Sequence, residues 1–157
     1  MTSSAVTDAP PVPDLPPPRR GRWFRVTLYA LRGVATLHAL LAASQAVTIG
    51  RYLDGAYEMI RWHSTAAGIL VLVGLALAVV GLVHGLAGGR WWGAAACLSF
   101  FFAEGVQTGM GYSRALDIHI PLGVASVGGA LALAAWSWTR AAGRGRPLHP
   151  SRDGAVS

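Results

Sequence analysis

The stretch EMIRWHSTAAGILVLVGLALAVVGLVH, residues 58–84, decides the fold. From Trp62 to Gly89 no Asp, Glu, Lys or Arg interrupts the chain. A helix needs about 20 apolar residues to cross a hydrocarbon core of roughly 30 Å, and this run is long enough. Its residues His63, Ala67, Gly74, Ala78, Gly81 and Gly85 follow one another at steps of three, four or seven, so they share a helical face. Small residues on a face let membrane helices approach closely. The face, with His63 at its head, is expected to look into a bundle.

Three further stretches, about 26–49, 91–111 and 118–139, are long and apolar enough to be read the same way. The whole chain is 53% hydrophobic and 13% charged, too little charge for an ordinary soluble domain. The connections Arg51 to Tyr57, Gly85 to Arg90 and Tyr112 to Asp117 are short, which makes successive helices antiparallel neighbours. The expected fold is therefore all-α, an integral membrane four-helix up-down-up-down bundle over residues 23–140, with the second and fourth helices on a diagonal. Pro121 is expected in the first turn of the fourth helix, where a missing amide hydrogen costs little. Residues 1–22, which hold six of the nine prolines, and 141–157, with Gly143, Gly145, Pro147 and Pro150, are expected as disordered tails. His149 falls in the second tail and is expected to be inert.

The formal charge of +6 could point to nucleic acid, but the placement of the arginines gives it another meaning. Arg19, Arg20, Arg22 and Arg25 precede the first span, Arg90 lies between the second and third, and Arg140, Arg144, Arg146 and Arg152 follow the fourth. All three places fall on one side of a four-span protein. Only Arg51, Arg61 and Arg114 lie on the other side, so the positive-inside rule puts both termini in the cytoplasm. Trp23, Trp91, Trp92, Trp136 and Trp138 mark that inner interface, and Tyr52, Tyr57, Trp62 and Tyr112 the outer one. All thirteen basic residues are Arg, in keeping with a GC-rich bacterial genome and a bacterial cell membrane. The partner that the composition names is the lipid bilayer, with no nucleic acid.

A single cysteine, Cys97, excludes an internal disulfide and the C-x-x-C-H attachment of c-type haem, and is read as a packing residue. Ionisable groups inside a membrane are costly and usually functional. At about 1.5 Å of rise per residue, Gln45, His63, Glu104, Gln107 and His119 fall within roughly 3–11 Å of the outer edge and form one polar layer. His38 counts about 18 Å down and His84 sits at the inner end. His38 shares a face with Gln45 and is expected to hydrogen-bond within the bundle; His84 is expected to be an ordinary interface residue. Glu104 shares a face with Gln107 and is either neutral, paired with a histidine or arginine, or a proton carrier.

His63 and His119 each open an apolar run, and each is followed four residues later by a small residue, Ala67 or Gly123. Gln45, Gly50-Arg51 and His63 in the first half answer Gln107, Gly111, Arg114 and His119 in the second, a faint repeat that would set the two rings across one cavity. Imidazole is a common axial ligand of haem iron, and a planar macrocycle between two such rings is the economical shared ligand. The small residue one turn on would leave room for the macrocycle's face. Arg51, Arg61 and Arg114 pair either with Asp54, Glu58 or Asp117, or with haem propionates, whose carboxylates suit guanidinium.

The segment Tyr57-Glu58-Met59-Ile60-Arg61-Trp62-His63-Ser64-Thr65-Ala66-Ala67-Gly68 resembles the start of the second helix of haem A synthases, where a Glu precedes a haem-ligand His followed by small residues. Gln107-Thr108-Gly109-Met110-Gly111, Arg114 and His119-Ile120-Pro121-Leu122-Gly123 are similar to the end of the third helix and the start of the fourth in one half of that family. The resemblance covers roughly residues 45–125 and implies that His63 and His119 are the axial ligands of one b-type haem. Here Arg61 stands where the family's His follows Glu by three, and the chain is one four-helix half where the family has two.

The leading expectation is a small membrane protein with one haem b near the outer face, serving electron transfer with a redox partner or a quinone. The alternatives are a haem-free accessory or structural subunit, as a homo-oligomer or in a membrane complex, and a proton or solute carrier centred on Glu104, His38 and Gln107. An enzyme has the least support, because no nucleophile, phosphate loop or complete metal-ligand set is present.

Overall fold

The structure is a computed structural model that describes residues 20–146. The expected tails over 1–19 and 147–157, with His149, lie outside the described residues. Four long helices follow in order: α1 (Arg22–Leu53), α2 (Met59–Leu86), α3 (Trp91–Tyr112) and α4 (Leu116–Ser137), then a short α5 (Arg140–Arg144). Among the described residues there is no strand. α1 packs on α2 and α4, and α3 packs on the same two, so α2 and α4 stand on a diagonal.

By length and composition, α1, α2 and α4 are apolar enough to cross a membrane. α3 is not among them, although a span was expected at 91–111. Its glycines Gly93, Gly105, Gly109 and Gly111, together with Glu104, Gln107 and Thr108, lower its mean hydropathy. The outward surface of the bundle is nevertheless apolar, with Leu72, Val79, Leu82, Leu86, Phe102, Val124 and Leu131 all exposed.

The core is built mainly from small groups. Leu31, Ala35, Ala39 and Ala42 of α1 meet Leu77 of α2, Cys97 of α3, and Ala130, Leu133 and Ala134 of α4. The glycine face of α2 turns toward α3: a Cβ on Gly81 would lie 2.7 Å from Cys97 Cβ, and one on Gly85 would lie 3.1 Å from the Trp91 ring. Such contacts leave no room for a methyl group, which is why the sequence spends glycine there.

Each turn between the four long helices uses a residue with positive φ. Gly55 (φ 100°) and Gly88 (φ 103°) supply it after α1 and α2, while Arg114 (φ 60°) does so after α3. Pro121 lies in the second turn of α4, because the helix begins at Leu116 and not near Ile118. The bond it cannot make would go to Asp117, an exposed residue whose carbonyl is free to be solvated.

Residues 141–146, expected to belong to a tail, are structured. Thr139 caps α5 by accepting from the Ala142 amide, and Ala142 packs against Phe24 and Leu28 of α1. The Arg146 amide donates to the Gly88 carbonyl at 2.9 Å, and the Arg20 guanidinium donates to the carbonyls of Arg144 and Arg146. Both ends of the described chain thus meet at one end of the bundle, together with the α2–α3 turn.

Arg32 lies inside α1. It donates from Nε to the Ser137 carbonyl at 2.9 Å, satisfying the end of α4, and its charge sits 5.0 Å from the Trp138 ring centre. Its long stem lets a charged head reach the bundle's end while its backbone stays within it.

Candidate functional site

His63 on α2 and His119 on α4 come together across the diagonal. Their ring centres are 6.3 Å apart, with the ring planes at 75°. Each ring is held through Nδ1. His119 Nδ1 lies 2.9 Å from the Gln107 carbonyl, and a carbonyl only accepts, so this nitrogen carries the proton. His63 Nδ1 lies 3.1 Å from Thr48 Oγ1 and 3.3 Å from the Gln45 carbonyl. The Thr48 hydroxyl donates to the carbonyls of Ser44 and Gln45, leaving its oxygen to accept from His63. Both imidazoles are therefore fixed in the Nδ1–H form, which leaves the Nε2 lone pair of each available. Neither Nε2 has a hydrogen-bond partner among the described residues.

The local arrangement repeats in the two halves of the chain. Gln45 and Gln107 each present a backbone carbonyl to a histidine on the next helix, and Gln107 Nε2 also donates to the His119 carbonyl at 2.8 Å. Gly111 makes room for the second ring: a Cβ there would lie 2.8 Å from His119 Cε1. Gly123 does not open a face for a macrocycle in the way its spacing led us to expect. The space over it holds the Gln107 amide, which would be 2.7 Å from a Cβ at that position.

Below the rings is a cavity of about 60 Å³, lined among others by Ala42, Gln45, His63, Ala67, Glu104, Gln107, His119 and Gly123. A cavity of this size has room for a few waters, each needing at least about 10–15 Å³ of such space. Gln45 Nε2, Gln107 Oε1 and Glu104 Oε2 are buried with no hydrogen-bond partner among the described residues. Buried polar atoms without partners usually mark water or a ligand.

Glu104 is 2% exposed and pairs with His38 Nε2, itself 1% exposed. Of the three readings of Glu104, the structure shows pairing with a histidine. Counting residues placed His38 some 18 Å down, too deep for Glu104. The imidazole and the carboxylate chain reach toward each other and close the distance. Gly74 permits the contact on the other side, since a Cβ there would overlap Glu104 Oε2.

The remaining candidates stand apart. Arg51, Arg61 and Arg114 are exposed at the histidine end and form no ion pair with Asp54, Glu58 or Asp117 among the described residues. His84, expected at an interface, is 2% exposed and bonded through Nδ1 to Thr27 Oγ1 at 3.0 Å, in contact with Phe24. No group of three or more His, Cys, Asp or Glu able to hold a metal ion occurs among the described residues; the pair of imidazoles is a two-donor set. Thr48 was missed in the sequence reading, although it lies three residues after Gln45 on the same face. Compared with protein-family models, curated proteins and solved structures, the chain matches none.

Proposed function

We propose that this chain is a four-helix membrane protein, with both termini on the cytoplasmic side of a bacterial cell membrane, that holds one b-type haem between His63 and His119 and serves electron transfer. The observation that carries the reading is the pair of facing imidazoles, each fixed through Nδ1 so that Nε2 is left as a donor. A histidine that ligates a metal almost always donates its other N–H to a carbonyl, a carboxylate or water. His63 and His119 would hold the group through Nε2, their ring centres being 6.3 Å apart.

The two Nε2 donors could hold an iron, whereas the 60 Å³ cavity does not house a macrocycle. When bound, haem supplies one-electron redox chemistry. The chain's own residues set the imidazole tautomers, exclude bulk water with the alanine-rich core below, and offer Arg51, Arg61 and Arg114 at the same end for the propionates. Lipid contact is supported by the apolar outer surface.

The test is a reduced-minus-oxidised absorption spectrum of detergent-purified protein expressed with ample haem. A low-spin bis-histidine spectrum is expected in the wild type and in His84→Ala and His149→Ala, and its loss in His63→Ala and His119→Ala. A colourless wild type overturns the haem. The unpartnered buried atoms Gln45 Nε2, Gln107 Oε1 and Glu104 Oε2 favour a second reading, a hydrated proton site at Glu104 and His38, for which proton flux without a chromophore is the expected outcome.

A further inference from the structure

We infer that the arginine end of the bundle binds the phosphate of an anionic phospholipid at the turn between α2 and α3; the inference rests on the membrane reading above and not on the haem. The guanidiniums of Arg20, Arg90 and Arg146 gather around residues 88–90. The Arg20 group lies against Gly88 and Gly145, where Cβ atoms would sit 3.4 Å from its Nη1 and 3.1 Å from its Cζ. Arg146 is tied to the same turn: its amide donates to the Gly88 carbonyl at 2.9 Å, and its guanidinium lies 5.2 Å from the Trp91 ring centre. Arg90 stands at the N-cap of α3, a position that favours Ser, Thr, Asp or Asn. No side-chain hydrogen bond caps the start of that helix, and its first turn holds no acid.

Among the described residues nothing at this end balances the charge. Asp54, Glu58 and Asp117 lie at the histidine end, and Glu104 is in the core, paired with His38. The bonds that the guanidiniums of Arg20 and Arg146 make go to the neutral carbonyls of Arg144, Arg146 and Gly85, which hold the groups in place without neutralising them. Like charges held this close repel unless an anion stands among them. Two buried atoms at the turn also lack a partner, Arg90 Nε and His84 Nε2. His84 is 2% exposed, and its Nε2 lies 2.7 Å from where a Cβ on Gly89 would be, so its unpartnered edge is turned to the start of α3. The Thr27 hydroxyl donates to the Trp23 and Phe24 carbonyls and accepts from His84 Nδ1, which leaves Nε2 as an acceptor. A hydrated phosphate satisfies both atoms: its oxygens accept from Arg90, and a water that it holds donates to His84. Guanidinium forks and helix N-termini suit phosphate, and basic pockets between helices on the cytoplasmic side take lipid headgroups. A lipid is favoured over a soluble anion by what flanks the turn. Leu86, Trp91 and Trp92 are exposed there and offer apolar surface to acyl chains, with the indole rings at headgroup level.

The experiment is native mass spectrometry of the full-length protein released from detergent micelles that contain equal amounts of phosphatidylglycerol and phosphatidylcholine. The wild type is expected to carry phosphatidylglycerol in preference. Arg90→Gln and Arg146→Gln should each lower that binding by about tenfold or more, as the loss of a charge-assisted hydrogen bond predicts. Arg140→Gln removes the same charge from an exposed side chain at the same end and should leave it nearly unchanged. Equal uptake of the two lipids by the wild type overturns the inference even if a variant fails to fold. Equal losses in Arg90→Gln and Arg140→Gln overturn it too, because they reduce the preference to general attraction. Displacement of the lipid by inorganic phosphate at matching concentration would assign the site to a soluble anion and overturn the lipid. A protein recovered without detergent in the soluble fraction refutes the membrane reading itself, and is recognised before any lipid is added.

Discussion

Gly111 and Gly105 lie on one helix and differ in what surrounds them, which makes them a sharp test of the site at the scale of single residues. A Cβ on Gly111 would meet the His119 ring at 2.8 Å, whereas one on Gly105 would meet nothing within 4 Å. Gly111→Ala should therefore cost about 1–3 kcal/mol as overpacking and displace the imidazole. Gly105→Ala should gain up to about 1 kcal/mol in helix propensity and leave the imidazole in place. Thermal unfolding in detergent together with the absorption spectrum separates the two, and equal behaviour of the two variants would remove the close contact. His63, His119 and the repeat of Gln45 with Gln107 were legible in the sequence because helical spacing fixes a face. The use of Gly123 was not, because a gap at a glycine says nothing about which neighbour fills it. The pairing of His38 with Glu104 also escaped the count of rise per residue, which follows each backbone separately and ignores how far two long side chains reach.

At the scale of helices, α2 and α3 are held close by glycine on one and cysteine on the other. A Cβ on Gly81 would lie 2.7 Å from Cys97 Cβ and 2.8 Å from its Sγ, and neither group has room to yield in a core where Cys97 is 0% exposed. Gly81→Ala is expected to destabilise by about 1–3 kcal/mol. Cys97→Gly in the same chain should recover part of that loss, since residues in contact are energetically coupled. Additive losses in a double-mutant cycle would show that the helices do not meet there. α1, α2 and α4 were readable from apolar length alone; α3 was read as a span in the same way, although Glu104, Gln107 and its glycines leave it short of one. α5 was not readable, because glycine, proline and arginine around it carry no apolar period; it forms because Thr139 caps it and Ala142 finds a slot between Phe24 and Leu28.

For the whole molecule, side of the membrane is decided by charge and by which ends meet. Arg20 bonds to the carbonyls of Arg144 and Arg146, and Arg146 bonds to Gly88, so the N-terminal end of α1, the α2–α3 turn and α5 belong to one end of the bundle. Arg22, Arg25, Arg90 and Arg140 are at that end as well, and the opposite end has only Arg51, Arg61 and Arg114. Arginine is retained on the cytoplasmic side during insertion, so the end with the greater number should face the cytoplasm. Reporter fusions after residue 145 are expected to signal cytoplasm and fusions within residues 52–56 the outside. Weakening the bias should blur the outcome: replacing Arg20, Arg22, Arg25 and Arg90 by neutral residues leaves that end with a smaller excess of arginine, and a mixed population in the same reporters is the expected result. Identical signals from both fusion sites in the wild type would mean that the bundle does not cross the bilayer as four antiparallel helices. The two imidazoles would then have no outer half of a membrane in which to sit.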